Sequence, residues 1–280
     1  MKYALVKQGD GTSCQWQNCA AATGVAVLYA STNGLKGSVN LTTHASPLVH
    51  SIRTYFNQYC PGVPYSTVSA AILHYAGVKI EPRYWITWEA FHDGILAGHP
   101  IGVSIKYSVL HGTPFDCYPN FDGRHAVAVF MRRWNSTKGI EEYLVADPGA
   151  DHRASWVPLG PQWWPASLLK KAVYASTGNS TVNTMWGPVP PPIVYTKKAA
   201  CGGGAYRIGA SVTNTKKGSI VAGQVVTLAQ QGPVSGGQWS LTCGTAKSGN
   251  TWYKIKAIGA TSVKSLYGVD YVYASTGWFV

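Results

Sequence analysis

From Asn18 to Tyr29 the chain reads Asn-Cys-Ala-Ala-Ala-Thr-Gly-Val-Ala-Val-Leu-Tyr, a helix-length stretch without a single charge. A helix of this composition has no polar face to offer water, so it belongs in the middle of a domain, covered on several sides. The run predicts a helix over Cys19–Tyr29, ending near Asn33-Gly34. Asn18 is a favoured N-cap residue type, which puts Cys19 in the first turn, facing a cleft. A thiol in that position is shifted toward thiolate, because the helix N-terminus favours negative charge and a nearby imidazolium adds to it.

Around this helix the pattern predicts a helical half followed by a sheet. Pro47–Tyr59 and Ser66–Tyr75 read as amphipathic helices, the second closed by Ala76-Gly77, and Trp88–Ala97 as a shorter one ending at Gly98. From Ile101 the period changes to that of strands, over Ile101–Val109, His125–Arg132 and Glu142–Ala146. Trp163–Lys171 reads as a last helix with Pro165 in its first turn. Helices first and an antiparallel sheet afterwards define an α+β domain.

A boundary lies at Trp186-Gly-Pro-Val-Pro-Pro-Pro192, continuing to Cys201-Gly-Gly-Gly204, where prolines stiffen the chain and glycines loosen it. It divides the 280 residues into a domain at 1–185, a linker at 186–204 and a small all-β, barrel-like module at 205–280. With 46% hydrophobic and 12% charged residues the chain can bury a core, which excludes a disordered protein.

The net charge of +12 is unevenly spread: residues 191–280 hold nine Lys and Arg against Asp270 alone. Such a module expects an anionic partner. Its basic residues are scattered among Gly, Ser and Thr with no nucleic-acid-binding motif, so nucleic acid is not the expected one. Six cysteines without a Cys-x-x-Cys pair form neither a disulfide framework nor a zinc site, although Cys201 and Cys243 could bridge. There is no signal-peptide core at the N-terminus and no run of 18 apolar residues. The expectation is a protein made in a cytoplasm that does not enter a membrane and that something else must release if it acts outside.

Three side chains carry candidate chemistry. Cys19 is the first nucleophile candidate. His125 is singled out among eight histidines by Asp122-Gly-Arg before it and Ala-Val-Ala-Val after it, which place it at a strand start beside a turn. Asp147, fixed by Pro148 at the end of the next strand, is positioned to reach His125 Nδ1. Thiol, imidazole and orienting carboxylate are the parts of a cysteine hydrolase. Cys14 is the alternative nucleophile, but a helix starting there would bury Gln15, Gln17 and Asn18, at about 1–3 kcal/mol for each unpaired amide. The oxyanion donor falls to Gln15, or alternatively Gln8. His111, Cys117 and His125 match no zinc spacing, so neither metal nor other cofactor is expected.

At these residues the chain resembles the C39-like branch of the papain-like cysteine peptidases. The likeness rests on Asn18-Cys19-Ala-Ala-Ala22-Thr23-Gly-Val-Ala26, on the His125 strand and on Asp147-Pro148. It extends over residues 5–175 and is similar in particular to the peptidase domains of phage lysins, through Phe115–Val127 and Gly160-Pro-Gln-Trp-Trp-Pro165. Two positions depart from the pattern: Ser13 stands where the family glutamine precedes the cysteine by six, and Ala20 replaces the usual glycine. The glutamine spacing is met by Gln8 and Cys14, which keeps that alternative open. Residues 205–280 resemble a bacterial SH3 (SH3b) module through Tyr206-Arg-Ile-Gly209, Gly218–Gly223, Trp252-Tyr-Lys-Ile255 and Gly277-Trp-Phe279.

The resemblance implies a peptidoglycan-degrading cysteine peptidase, either an endolysin or a tail-associated lysin. Its partners would be the bacterial cell wall with its anionic polymers and phage tail proteins. Trp252, Tyr253 and Trp278 would be wall-binding residues, and synthesis would take place in a host cytoplasm. The alternatives are a CHAP-type N-acetylmuramoyl-L-alanine amidase and a non-catalytic wall-binding virion protein on a degenerate peptidase scaffold.

Overall fold

The structure, a computed structural model, describes residues 2–8, 17–34, 47–55, 62–149, 160–191, 195–230, 232–243 and 245–279, the side chains of 243, 245 and 246 excepted. The chain divides into two compact units, Met1–Pro192 and Ile193–Val280.

The first unit is built around α1 (Cys19–Ser31), which is buried along nearly its whole length, Ala20 through Leu28 included. One side of it packs on α3 (Tyr65–Ala76) and α2 (Pro47–Thr54), through Val25, Leu28, Val49, Ile52, Val68 and Ile72. Its other side lies on a six-stranded antiparallel sheet, against Ala126, Ala128, Phe130 and Leu144. The sheet runs in the order β1-β6-β2-β3-β4-β5, with β1 Glu81–Thr87, β2 Ile101–Lys106, β3 Arg124–Asn135, β4 Ile140–Ala146, β5 Gln162–Pro165 and β6 Thr181–Trp186. Helices α4 (Trp88–Leu96) and α5 (Ala166–Thr177) belong to a second core, formed by Phe91, Val103, Val127, Val129, Trp164 and Leu169. From Ala126 to Phe130 strand β3 is thus apolar on both faces, which is why that stretch reads as a continuous run rather than an alternation.

Several sequence expectations are corrected. The helix expected over Pro47–Tyr59 spans Pro47–Thr54, and residues 56–61 lie outside those described. Trp163 and Trp164 belong to strand β5, paired with Leu144 and Tyr143, and the helix starts only at Ala166. Proline restricts the residue before it to extended backbone, so Trp164 stays in the strand and Pro165 becomes the N-cap. The strand from Ile101 ends at Lys106 and continues as a 3₁₀ turn, Tyr107–Leu110.

The second unit is a sheet in the order β7-β10-β12-β14-β8-β9, with β11 and β13 both pairing to β12. Its strands are β7 Thr196–Lys198, β8 Ala205–Arg207, β9 Lys216–Ser219, β10 Val225–Leu228, β11 Val234–Cys243, β12 Thr245–Ile258, β13 Thr261–Ser262 and β14 Val272–Ser275, with a short helix α6 at Val263–Tyr267. Among the described residues no pairing closes this sheet into a barrel. Its core holds Tyr206, Val226, Ile255, Val263, Val272 and Phe279. Of the stretch 186–204, Trp186 ends β6 of the first unit, whereas β7 and Ala199, which bridges Phe279, belong to the second. Cys201 is disulfide-bonded, and the side chain of Cys243 is outside those described. No helix among the described residues is long and apolar enough to cross a membrane.

Helix α1 meets α3 tightly at Gly24, where a Cβ would sit 2.4 Å from Val68 Cγ1. Gly24→Val is therefore expected to destabilise the first unit by about 2 kcal/mol through overpacking, measured by urea unfolding, with Val68→Ala in the same chain recovering part of the loss.

Candidate active site

Cys19 is the first residue of α1, and its partners come from the sheet. Asn18 does not cap the helix with its side chain. Its backbone sits at φ −86° and ψ 9° rather than in the extended conformation a capping side chain needs, and Nδ2 donates instead to the Gln8 carbonyl at 3.2 Å. Its own carbonyl accepts the first helical bond, from Ala22 N–H at 2.9 Å.

Burial pushes the Cys19 thiol up, but the combined effect of its neighbours outweighs it and the pKa falls below the ordinary thiol value. The neighbours are the hydrogen bond and charge of His125, followed by the backbone N–H groups of Ala126 and Ala20. These neighbours thereby favour the thiolate form of the sulfur.

His125 is the second residue of β3 and is buried, as is Asp147, the residue after β4. Pairing of Ala128 with Ala146 brings Asp147 alongside the start of β3. Asp147 Oδ1 lies 2.7 Å from His125 Nε2, not from Nδ1 as the sequence suggested. A carboxylate arriving from the neighbouring strand meets the far end of the ring, and Nδ1 is the nitrogen left for Cys19. The same carboxylate oxygen accepts the Gly149 N–H at 2.8 Å, while the buried Oδ2 has no hydrogen-bond partner among the described residues.

Burial opposes the charged imidazole, but the charge and hydrogen bond of Asp147, with those of Cys19, raise the His125 pKa to about 10. The two opposite shifts favour transfer of the thiol proton to the imidazole, giving a thiolate–imidazolium pair.

Two tyrosines wall the imidazole. Tyr107 stands edge-on to it at 5.3 Å and 88°, and Tyr118 at 5.9 Å and 73°. Tyr107 accepts the Cys117 N–H at its hydroxyl, and Tyr118 accepts from Gln8 Nε2 at 2.9 Å. Burial first, and then the charge of Asp147, push the Tyr107 phenol far above its ordinary value, so it does not compete for the proton.

Cys19 and His125 open onto a cavity of about 360 Å³, lined also by Tyr65, Tyr84, Arg124 and Asn183. Burial and the nearby Cys19 charge push the Tyr65 phenol well up, which keeps it neutral. Beside Tyr84, the exposed Trp85 adopts φ 58°, a left-handed conformation uncommon for a bulky residue. Its N–H is held by Asn183 Oδ1 at 3.1 Å.

Of the sequence candidates, the structure brings Cys19, His125 and Asp147 together. Cys14 and Gln15 lie outside the described residues. Gln8 is buried, its Nε2 donates to the Tyr118 hydroxyl and its backbone carbonyl accepts from Asn18 Nδ2, and it is not among the residues lining the cavity. In the second unit Trp252 cannot be a stacking face: it is buried, with Nε1 donating to the Gly237 carbonyl at 2.8 Å. Tyr253 and Trp278 are half-buried against the core of that unit, and Lys197 Nζ lies 5.9 Å from the Tyr253 ring centre.

Sequence reasoning missed Gly149, Tyr107, Tyr84, Arg124 and Asn183. Gly149 had a signal, since a glycine two residues after a carboxylate can offer its N–H to it. Tyr84 and Asn183 had none, because β1 and β6 were not read as strands.

No protein-family model and no curated protein matches the chain. Among solved structures it is similar to UfSP from C. elegans, at 13% identity and a TM-score of 0.39, over 67% of this chain and 32% of that one. It is also similar to a C39-like peptidase from Bacillus anthracis, at 12% identity and a TM-score of 0.36, over 66% of this chain and 98% of that one. The chain thus spans about a third of the C. elegans protein. Likeness of this order assigns no activity, and the chemistry of the site rests on its geometry.

Two measurements check that geometry. Iodoacetamide alkylation of Cys19, followed by mass spectrometry, is expected to be already fast at pH 7 and to change again near pH 10 as His125 deprotonates. Asp147→Asn removes the charge that raises His125, so burial prevails and this upper limb moves to lower pH. The pair also contributes stability that is complete below the ordinary histidine value of 6.5 and is lost as pH rises through about 10. In Gly149→Ala the new Cβ would sit 2.2 Å from Tyr118 Cε2. That variant is expected to slow alkylation roughly tenfold, since a displacement of about 1 Å can cost still more.

Proposed function

We propose that the first unit is a cysteine peptidase that cuts amide bonds in the peptide of bacterial cell walls, and that the basic second unit holds it on the wall. The observation that carries the peptidase assignment is the buried line from Asp147 through His125 to Cys19, ending at the 360 Å³ cavity. Thiolate attack on a carbonyl carbon forms a tetrahedral intermediate. Collapse to the thioester expels the amine, which takes the proton carried by His125, and water then releases the acyl group with His125 as base. Asp147 keeps the ring oriented and supports its positive charge throughout. The N–H groups near the sulfur are candidates for the oxyanion, with a glutamine side chain, Gln15 by the sequence, as the second donor.

The wall as target is supported by charge and by the lysin resemblance of both sequence segments. Nine basic residues against one acidic residue over 191–280 suit an anionic polymer, and tethering raises the local concentration of the catalytic unit on its substrate. A lysin of phage origin, made in the host cytoplasm and released or carried in the virion, would meet its substrate in this way.

Cys19→Ala is expected to abolish turbidity loss of purified walls while leaving sedimentation with those walls unchanged. Mass analysis of the released fragments identifies the bond: peptide termini support the peptidase, and free muramic acid carboxyls would assign an amidase. Full lysis by Cys19→Ala with loss in Cys14→Ala would transfer the nucleophile to Cys14, and lysis by neither wild type nor variants would leave only a binding role.

A further inference from the structure

The cavity beside Cys19 has an arginine at its rim and no carboxylate in its lining. Elsewhere exposed arginines are matched: Arg83 pairs with Glu81, Arg132 with Glu141, and Arg133 with Glu142. Arg207 donates to the Asn214 carbonyl. Arg124 is exposed, and its guanidinium has neither hydrogen bond nor ion pair among the described residues. The nearest acid along the chain, Asp122, faces His111 at 3.6 Å.

A second observation is independent of the cavity. In the β2–β3 ladder Arg124 lies directly opposite Lys106. Like charges in that relation are destabilising, and neither side chain has an ion pair among the described residues. Asn183 adds to the same polarity, because its Oδ1 is taken by Trp85 N–H and its amide NH₂ remains to donate.

Resting on the assignment of Cys19 as nucleophile, we infer that Arg124, supported by Lys106, anchors a carboxylate of the peptide substrate, so that the bond cut lies beside an acidic residue or a free chain terminus. The planar guanidinium can grip a carboxylate through two parallel N–H···O bonds, and a bound carboxylate relieves the repulsion between the two cations. The substrate class is then an anionic peptide, with its carboxyl free and not amidated.

The test compares two alkylating agents of nearly equal size, anionic iodoacetate and neutral iodoacetamide, with the product at Cys19 counted by mass spectrometry. The iodoacetate-to-iodoacetamide rate ratio is expected to fall roughly threefold to tenfold in Arg124→Gln and to be largely kept in Arg124→Lys, as for a local cation steering an anion. High salt should shrink the difference in the wild type. In the matching substrate assay, muropeptides with free carboxyls should be cut faster than amidated ones by the wild type, and Arg124→Gln should lose that preference. An unchanged ratio in Arg124→Gln, or an equal slowing of both reagents, overturns the inference. Failure of wild-type Cys19 to react with either reagent instead overturns its assignment as nucleophile.

Discussion

The contact on which the site depends is the hydrogen-bonded ion pair between Asp147 and His125. Both groups are buried, and taking either charge out of water alone would be prohibitive. Losing one partner of such a pair typically costs about 3–5 kcal/mol, so the geometry around it is tightly specified. The β3–β4 register delivers the carboxylate, the Gly149 N–H fixes one of its oxygens, and Tyr107 and Tyr118 close the sides of the ring. What remains free on the imidazole faces the sulfur, so a stabilising pair in the sheet becomes an activating group for a residue on a helix.

The helix contributes by being closely packed. Helix α1 is enclosed by α2 and α3 on one side and the sheet on the other, with glycines where backbones approach: Gly24 meets Val68, and Gly102 in β2 meets Thr23. Small side chains allow this close packing, and close packing holds the first turn of α1 in place against β3. The charge-free composition of the helix and the reactivity of its first residue are therefore linked.

The core helix was legible because its composition admits only a buried position, and β3 and β4 because their apolar runs are bounded by turns. His125 and Asp147 could be paired from adjacency of strands, but the ring nitrogen could not, since sequence does not say which end of an imidazole a neighbouring strand reaches. The tryptophans at 163 and 164 fit a helix as well as a strand, because their period is ambiguous over so short a run, and pairing with β4 decides it. Strand β1 was illegible for a physical reason: Glu81, Pro82 and Arg83 interrupt any alternation, as suits the edge of a sheet. In the second unit Trp252 illustrates the limit of composition, which cannot tell an aromatic ring that fills a core from one that offers a face.

That edge bears on how a peptide can approach. Between Arg83 and Ile86 the β1–β6 register slips, Pro82 has no N–H to give, and Trp85 turns its backbone the opposite way. An incoming chain would find no continuous row of donors and acceptors along which to lie as a seventh strand. If the cleft takes a peptide as proposed, selection there falls to side chains: discrimination is by residue identity, with little contribution from main-chain templating.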